Sequence, residues 1–405
     1  MRGGFTGKLR IGFLSRYPPM HCGVGEYTRF LVSALKSIAP WLDIIVFTST
    51  SNGAEPWHDR LLNIEVVPVF NEGDRGYEKL LDALAAIGGV NILHVQHEYG
   101  IFGAGQGLIK TVRDARDEKL VKKAVITMHT VFHPSSGRDK EAKFQKLLNI
   151  FDAVIVHSIL QEFELQWQGV EPSKIHRIPH GTLINPYLGF PRRTLASSLG
   201  IDPDLLKGLI LAVPGFLRPD KGLDILFEAL SILKDLDTTV IVAGEPRNRE
   251  VTDLIDSARS KHNIVMLDRY LSNDEILKLI GLADALVLPY KDRVGTYSVS
   301  GILHLSMGGL KPIIGSRAPR LVELYQYAPR LTVPPRDPIE LAKKIRWVVN
   351  SYDYAVAYMT TLYGYAARTQ WPRMARRHLE LYTKLIIGEV KGLSLPDEVG
   401  VASID

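Results

Sequence analysis

Two cations, Arg218 and Lys221, stand three residues apart in the sequence LAVPGFLRPDKGLDILFEAL (211–230), after an apolar run and before an amphipathic one. The first run predicts a strand over 208–213, and the second predicts a helix over 222–235. Ligands of open α/β sheets bind outside the carboxyl ends of the strands, and a helix N-terminus there favours an anion. The pair therefore predicts a site for a phosphate or diphosphate, with an ordinary solvated turn as the alternative.

A glycine-containing loop follows the first predicted strand, 9–14. It holds Gly23, Val24 and Gly25 within SRYPPMHCGVGEYTRFLVSAL. Glycines allow backbone N–H groups to approach an anion closely, so this loop is a further candidate for phosphate binding. The spacing completes neither a dinucleotide-binding fingerprint nor a P-loop, and a tight strand-to-helix turn is the alternative.

Histidines and a carboxylate end two other strands of the N-terminal half. His97 and Glu98 follow the predicted strand 91–96, and His129 follows the predicted strand 124–128. The ends of parallel strands meet at one edge of a sheet, so these side chains are expected to face a cleft. Because no zinc-type H-E-x-x-H spacing is present, they favour hydrogen bonds to a polyhydroxylated ligand over a metal site. A structural role for each histidine is the alternative.

A polar loop opens a predicted helix within the segment PYKDRVGTYSVSGILHLSMGGLKPIIGS (289–316). Free backbone N–H groups at the start of this helix predict a second anion site near Thr296, Tyr297 and Ser298. The alternative is that Ser298 or Ser300 acts as a plain N-cap residue.

The bulk composition narrows the class of protein. The chain of 405 residues is 46% hydrophobic and 23% charged, which is typical of roughly two to three folded domains. A single cysteine, Cys22, excludes an internal disulfide framework, and the net charge of +5 is too small to predict nucleic-acid binding. No apolar run approaches the length of a membrane span, and the N-terminus lacks the apolar core of a signal peptide. A cytoplasmic protein is the simplest expectation.

Short apolar runs alternate with amphipathic helical stretches along the chain, which predicts parallel sheets with right-handed crossovers. The predicted strands are 9–14, 43–48, 64–69, 91–96, 124–128, 152–157, 208–213, 238–243, 263–267, 284–288 and 311–315. The predicted helices include 25–38, 77–87, 222–235, 273–281, 300–308, 338–350, 352–366 and 371–387. This number of strands favours an α/β fold with two Rossmann-like domains, 1–185 and 205–365, joined by a segment rich in proline and glycine.

Eight motifs extend over about residues 9–387: GVGEYTRFL, VITMHT, DAVIVHS with RIPHGT, PGFLRPDKGLDILFEAL, VIVAGE, YLSNDEILKLIGLADALVLPY, GGLKPIIGS and RTQWPRMARRHLELY. Their order and spacing resemble the retaining glycosyltransferases of the GT-B fold in family four, also called group 1. The resemblance implies two facing Rossmann-like domains, with the donor bound mostly by the C-terminal one. It also implies a C-terminal helix, 370–388, that crosses back to the N-terminal domain.

The activity implied by the resemblance is metal-independent transfer of a hexose, here assigned as mannose, with retention of configuration. The donor would be a nucleoside diphosphate sugar, with GDP-mannose preferred over UDP-glucose, and the acceptor a glycan, a small molecule or a lipid-linked sugar. No cofactor is implied. The implied catalytic residues are His129, Arg218 and Lys221. The implied donor contacts are Gly23, Val24, Gly25, Glu245, Tyr270, Leu271, Thr296, Tyr297, Ser298 and His304, and the implied acceptor contacts are His97, Glu98 and Tyr99.

Two motifs depart from the family pattern. Where the family has Gly-Arg before the Lys-Gly turn, Phe216 follows Gly215 here, and the arginine comes two residues later as Arg218. The family carries two glutamates with seven residues between them, of which the first contacts the donor sugar and the second the ribose. Counting back from Pro312 places them at Tyr297 and Leu305, or at Thr296 and His304, and neither pair holds a carboxylate. Three alternatives with the same fold stay open: a glycoside phosphorylase, a sugar-nucleotide epimerase, and a non-catalytic sugar-binding subunit, which the missing glutamates favour.

Two basic segments of the N-terminal half, 110–123 and 138–146, are suited to anionic headgroups around a lipid-linked acceptor. They predict peripheral contact with the inner face of a membrane. The acidic residues within them favour ordinary solvated helix faces as the alternative. No nucleic-acid partner is predicted, and the sequence carries no signal for an oligomeric state.

Overall fold

A computed structural model describes residues 9–53, 55–73 and 76–387. Its strands are β1 (Arg10–Leu14), β2 (Asp43–Ser49), β3 (Trp57–Asp59), β4 (Ile64–Phe70), β5 (Val90–His97), β6 (Val121–Met128), β7 (Thr130–Phe132), β8 (Ala153–Val156), β9 (Ile175–Arg177), β10 (Leu209–Pro214), β11 (Thr238–Ala243), β12 (Ile264–Leu267), β13 (Ala285–Leu288), β14 (Thr296–Ser298), β15 (Ile313–Ser316) and β16 (Thr332–Val333). Its helices are α1 (Gly23–Ile38), α2 (Glu78–Ala86), α3 (Tyr99–Phe102), α4 (Gly107–Asp117), α5 (Asp139–Gln145), α6 (Ile159–Trp167), α7 (Arg192–Ser198), α8 (Leu223–Ile232), α9 (Arg249–Arg259), α10 (Asn273–Leu282), α11 (Gly301–Ser306), α12 (Val322–Tyr327), α13 (Pro338–Asn350), α14 (Tyr352–Arg368) and α15 (Trp371–Ile387).

Two sheets organise the chain. The first has the order β3-β4-β2-β1-β5-β6-β8-β9 and is parallel except for β3, which pairs antiparallel with β4. The second has the order β12-β11-β10-β13-β15-β16, with parallel pairs throughout. In each sheet the first strand in sequence lies in the middle, so the strand order reverses there. Such a reversal opens a crevice at the carboxyl ends of the strands, where ligands bind.

The central strands are apolar at consecutive positions because helices cover both faces of each sheet. Every residue of β8 (AVIV) and of β13 (ALVL) is buried. Such runs are visible in the sequence, and the structure confirms each predicted strand and helix, with ends that shift by a few residues. The predicted fold class, α/β with two Rossmann-like domains, is confirmed as well.

Five strands were not predicted: β3, β7, β9, β14 and β16. Each has two or three residues, and β3 (WHD), β9 (IHR) and β14 (TYS) lack an apolar run. Their conformation depends on a partner strand that is distant in sequence, so local periodicity carries no signal for them.

The C-terminal helix α15 packs against α1 of the N-terminal domain, as predicted. Trp371 stacks on Phe30 with ring centroids 5.3 Å apart, and the Tyr382 hydroxyl forms a 2.6 Å hydrogen bond with His94 Nδ1. The helix therefore completes the hydrophobic core of the N-terminal domain. Position 388 of the predicted helix lies outside the described residues.

A two-stranded antiparallel sheet joins the two domains. Thr296 pairs with Phe132, Tyr297 with Val131 and Ser298 with Thr130. The His133 N–H extends the ladder by donating to the Gly295 carbonyl oxygen at 2.8 Å. We call this sheet of β7 and β14 the interdomain ladder.

In the described part of the chain, no helix has the length and apolar character needed to span a membrane.

Candidate functional site

A cavity of about 240 Å³ lies between the two domains. Gly23, at the start of α1, lines it from the N-terminal domain, and residues of the loop after β10 line it from the C-terminal domain. Trp371, at the start of α15, closes part of the same wall. The cavity thus lies at the carboxyl ends of the central strands of both sheets, where the topology places a ligand.

Three cations contribute to the cavity wall: Arg218, Lys221 and Arg320. Lys221 is buried, and its ammonium nitrogen lies 3.9 Å from the centre of the Tyr290 ring. Such contact with an aromatic face partly replaces lost hydration. Arg320, in the loop between β15 and α12, was missed by the sequence reasoning because nothing near it in sequence marks it as part of the site.

One carboxylate holds the two arginines together. Asp220 Oδ2 accepts from Arg218 at 3.1 Å and from Arg320 at 2.9 Å. Burial alone would raise the pKa of Asp220, but Arg218 and Arg320 lower it below its ordinary value. Burial also lowers the pKa of Lys221. Tyr290 raises this pKa and offsets part of the effect, whereas Arg320 lowers it further. The cluster carries more positive than negative charge, so it is suited to an anion.

The N-terminus of α1 faces the cavity opposite these cations. Its N-cap residue, Cys22, gives no side-chain hydrogen bond to the first turn. A Cβ at Gly25 would contact the Arg16 backbone at 3.4 Å, so the loop and the helix approach closely there. Gly23 lines the cavity, whereas Val24 packs on the hydrophobic core of the N-terminal domain. The uncapped first turn adds the partial positive charge of a helix N-terminus to the three cations.

Glu26, in the first turn of α1, connects the domains and was also missed by the sequence reasoning. Its Oε2 accepts from Asn273 Nδ2 at 2.7 Å and from Arg29 Nη2 at 3.0 Å. The Tyr270 hydroxyl lies 3.5 Å from its Oε1. Glu26, Tyr270 and Asn273 all line the cavity. In the sequence, Glu26 has only the pattern of an ordinary polar residue on an amphipathic helix, so nothing marks it as part of a site.

The predicted donor contacts Glu245, Tyr270 and Leu271 line the cavity from the C-terminal domain. His21 of the N-terminal domain stacks on Tyr270, with ring centroids 3.9 Å apart and planes 8° apart. Glu245 Oε2 lies 3.7 Å from His21 Nδ1 and 3.4 Å from Arg247 Nη2. This side of the cavity offers a flat aromatic surface beside polar groups.

The predicted contacts Thr296, Tyr297 and Ser298 lie in the interdomain ladder, and the cavity lining begins after them, at Val299 and Ser300. Ser300 is the N-cap of α11, and its hydroxyl oxygen accepts a hydrogen bond from the Leu303 N–H at 3.2 Å. Ser300 therefore acts as a helix cap, which is the alternative stated for it in the sequence analysis. Of the two positions proposed for the second glutamate, the apolar Leu305 lines the cavity. The other, His304, is fully buried behind it.

Four predicted residues of the N-terminal domain lie beside the cavity rather than in its wall: His97, Glu98, Tyr99 and His129. His129 Nε2 forms a 2.9 Å hydrogen bond with Gln96 Oε1, and its ring contacts Tyr27, which lines the cavity. Burial, followed by nearby His157, lowers the pKa of His129, so its imidazole is neutral at pH 7.

The three predicted acceptor contacts follow β5. His97 is fully buried and stacks on Phe144, and burial lowers its pKa to about 3. The Tyr99 hydroxyl donates to Gln145 Oε1 at 3.0 Å. Glu98 accepts from the Thr130 hydroxyl at 2.7 Å, and burial raises its pKa although Thr130 and Arg218 lower it. Of the three residues, Glu98 is therefore the one whose pKa responds to the charge of Arg218.

Buried titratable groups lie behind the cavity wall. His304 Nε2 is 3.7 Å from Glu323 Oε1, and both side chains are buried. Burial raises the pKa of Glu323 to about 7 and lowers the pKa of His304 to about 4. Both groups are thereby shifted toward their neutral forms.

No group of three or more His, Cys, Asp or Glu side chains within 9–53, 55–73 and 76–387 has an arrangement that could hold a metal ion.

Two facing Rossmann-like domains with a cleft between them and a returning C-terminal helix define the GT-B class of glycosyltransferases. Residues 23–182 match the family model described as Glycosyltransferase Family 4, and residues 208–351 match the model described as Glycosyl transferases group 1. Together the two models match more than half of the chain. The chain belongs to the family 4, group 1 type of GT-B glycosyltransferases.

Solved structures share this fold at low sequence identity. HepE from Anabaena, solved in complex with UDP and glucose, is 15% identical over 93% of this chain and 100% of that chain, with a TM-score of 0.72. Sucrose-phosphate synthase from Thermosynechococcus elongatus is 16% identical over 94% of this chain and 100% of that chain, with a TM-score of 0.74. A glycosyltransferase from Rickettsia africae is 16% identical over 94% of this chain and 99% of that chain, with a TM-score of 0.72. No curated protein matches the sequence significantly.

Proposed function

We propose that the protein is a retaining, metal-independent hexosyltransferase that uses a nucleoside diphosphate sugar. The observation that carries the proposal is the convergence of Arg218, Lys221 and Arg320 on a cavity that also receives the uncapped N-terminus of α1. A diphosphate matches this arrangement in charge, because guanidinium, ammonium and backbone N–H groups all donate to its oxygens.

The reaction breaks the bond between C1 of the sugar and the diphosphate oxygen, and that oxygen gains negative charge. Arg218, Lys221 and Arg320 stabilise this charge, and each charge-assisted hydrogen bond contributes about 1.5–3 kcal/mol. The acceptor hydroxyl forms the new bond to C1 on the face from which the diphosphate leaves, so configuration is retained. Its proton passes to the departing diphosphate oxygen. The protein cations supply the charge stabilisation that a metal ion would otherwise give.

The acceptor would approach from the side of the N-terminal domain. Glu98 is the proposed acceptor contact, because its carboxylate lies beside β7 and interacts with Arg218. His129 is proposed to orient the donor hexose, since its neutral ring lies against Tyr27 at the cavity wall. A carbohydrate or a lipid-linked sugar presents the hydroxyl groups that these residues bind.

A lipid-linked acceptor is supported by an exposed aromatic pair on α6. Phe163 and Trp167 are one helical turn apart and are 62% and 69% exposed. Helices α5 and α6 both pack against β7, so the aromatic pair and the lysines of α5 belong to one region of the surface. Aromatic and basic groups in one region favour the interface of an anionic membrane. We propose that the protein acts in the cytoplasm, in peripheral contact with the membrane.

Two sugar nucleotides are candidates for the donor. GDP-mannose is the preferred donor from overall sequence similarity. UDP-glucose is the second candidate, since the structurally similar HepE was solved with UDP and with UDP-glucose. The test is nucleotide release by the purified protein from a panel of sugar nucleotides, with simple sugars and lipid phosphates as acceptors. Acceptor-stimulated release from one donor supports the proposal and identifies that donor.

A non-catalytic sugar-binding subunit is the second candidate, and one observation favours it. Leu305 gives the cavity an apolar wall, and Tyr297 is held in the interdomain ladder, where the family pattern expects carboxylates. Nucleotide binding by calorimetry, with no release from any donor of the panel, would favour this second function.

A further inference from the structure

The described residues that line the cavity include two carboxylates, Glu26 and Glu245. A donor of the proposed class carries adjacent hydroxyl pairs on its ribose and on its hexose. Ionised carboxylates bind such diols well because both oxygens only accept hydrogen bonds. The cavity residue Leu305 has no polar side-chain atom to offer such a diol. Glu26 and Glu245 are the carboxylates of this lining that are available for the role.

Glu26 is the better placed of the two. Its side chain is 16% exposed, compared with 38% for Glu245, which interacts with His21 and Arg247 at the cavity edge. Because Asn273 donates to Glu26, the carboxylate faces the wall formed by the first turn of α10. Ile276, one turn further along that helix, lines the cavity as well.

The two oxygens of Glu26 differ in how they are occupied. Oε2 accepts from Asn273 at 2.7 Å and from Arg29 at 3.0 Å. Among the described residues, Oε1 receives only the 3.5 Å contact from the Tyr270 hydroxyl. An oxygen with free lone pairs is thus held in a fixed position at the cavity wall. Arg29 also offsets the negative charge of Glu26, which reduces repulsion of a nearby diphosphate.

We infer that Glu26 supplies the carboxylate that accepts hydrogen bonds from a vicinal diol of the donor, in place of the glutamates that this chain lacks at positions 297 and 305. The inference rests on the proposed function and adds a donor-positioning and specificity-determining role for a residue of the N-terminal domain. Because Glu26 also contacts Asn273 of the C-terminal domain, the donor diol is bound where the two domains meet.

The test measures discrimination between ligands rather than affinity alone. The full chain is titrated with the nucleoside diphosphate that it binds, with the 2′-deoxy form of that nucleotide, and with the corresponding sugar nucleotide. If Glu26 holds the ribose, the wild type binds the ribonucleotide about tenfold or more tightly than the 2′-deoxy form, and Glu26→Gln reduces this preference to nearly one. If Glu26 holds the hexose, Glu26→Gln removes instead the gain in affinity that the sugar adds to the nucleotide.

Two further variants separate a diol contact from a general effect. Glu26→Leu keeps the approximate size and removes every acceptor, so it should abolish the same preference more completely. Glu250→Gln neutralises an exposed carboxylate in the first turn of α9, away from the cavity lining, and should leave both ratios unchanged. If Asn273→Ala removes the preference as fully as Glu26→Gln, Glu26 acts only through the domain contact and the inference is wrong.

Two further results distinguish a failure of this inference from a failure of the proposed function. Unchanged ratios in Glu26→Gln and Glu26→Leu would overturn the inference and leave the transferase proposal standing. A wild-type protein that binds no nucleotide of the panel would contradict the proposed function, and this inference would fall with it.

Discussion

Arg320 Nη1 lies 2.9 Å from Asp220 Oδ2, although the two residues are separated by 100 positions in the chain. The same oxygen accepts from Arg218, and the second Arg320 nitrogen, Nη2, lies 2.6 Å from Asp292 Oδ1. Arg320 thus joins three loops at the cavity and fixes the direction of a guanidinium group whose charge faces the proposed diphosphate.

Arg320→Ala should weaken binding of a nucleoside diphosphate by about 10- to 100-fold, because one charge-assisted contact is lost. It should also lower the free energy of unfolding by about 3 kcal/mol, because the Asp292 side chain, only 2% exposed, loses its cation. Adding Asp292→Asn should restore much of the stability and none of the affinity. Calorimetry and urea unfolding measure the two effects, with Arg346→Ala on the surface as the control. Full affinity in Arg320→Ala would exclude Arg320 from the anion site.

The pKa of Lys221 is lowered mainly by burial, so its ammonium loses its proton at a lower pH than an exposed lysine does. Nucleotide affinity should therefore fall as pH rises toward this lowered pKa. Lys221→Arg keeps its charge at every accessible pH and should flatten the profile, whereas Lys221→Met should abolish most turnover. Titrations from pH 7 to alkaline pH, with Lys343→Met as the surface control, test this. Parallel profiles for wild type and Lys221→Arg would contradict the assignment.

Gly295→Val should separate the two domains, because Gly295 has a φ of +73° and a Cβ there would lie 3.0 Å from His133 Cβ across the interdomain ladder. The strain amounts to about 1–3 kcal/mol. Small-angle scattering should show a larger radius of gyration than for the wild type. Gly189→Val is the matched control, since Gly189 has a φ of +80° and open space around its Cβ position. Identical scattering from both variants would mean that the ladder does not hold the domains together.

Glu323→Gln should stabilise the protein above neutral pH. Burial raises the pKa of Glu323 from 4.5 to about 7, so below pH 4.5 the folded and unfolded chains are both protonated there. As pH rises from 4.5 to 7, the unfolded chain loses this proton first, and the wild type loses up to about 3 kcal/mol of stability. Glu323→Gln has no such proton and avoids this loss. Urea unfolding at pH 5 and pH 8 measures the difference, and an equal pH dependence in both proteins would rule out the raised pKa.

Trp167→Ser should reduce binding to vesicles of mixed phosphatidylcholine and phosphatidylglycerol by on the order of tenfold, because a large exposed apolar side chain is lost. Co-sedimentation measures the bound fraction, and added salt should weaken binding further if the lysines of α5 contribute. Leu61→Ser removes another exposed apolar side chain, from the loop before β4, and serves as the control. Equal effects of the two variants would argue against an α6 docking surface.

Apolar runs such as AVIV and ALVL reveal the central strands because burial on both faces of a parallel sheet requires them. Lys221 and Gly23 could be recognised for a related reason: each lies where the loop after a strand enters the next helix, and the carboxyl end of that strand must face the cleft. The interdomain ladder could not, since TVF and TYS become strands only when the two domains bring them together.

Local sequence patterns do not identify Arg320 and Glu26 as residues of the site. Arg320 reaches the cavity only because the loop after β15 folds onto Asp220 and Asp292. Glu26 becomes a cavity residue only because Asn273 and Tyr270 of the other domain face it. The register of the expected glutamate pair could not be decided from local sequence either. The sequence allowed either Leu305 or His304 at the second position, and only the packing of α11 places Leu305 at the wall and His304 behind it.

Helix α15 imposes an order on the synthesis of the protein. Trp371, Met374 and Tyr382 belong to the core of the N-terminal domain, although they are translated after the whole of the second sheet. Domains usually fold as units in the order in which they leave the ribosome. Here the second domain has all of its strands before the first domain can complete its core. A nascent chain stopped before residue 371 should therefore expose the α1 surface around Phe30, and chaperones are expected to bind the N-terminal domain until the last helix emerges.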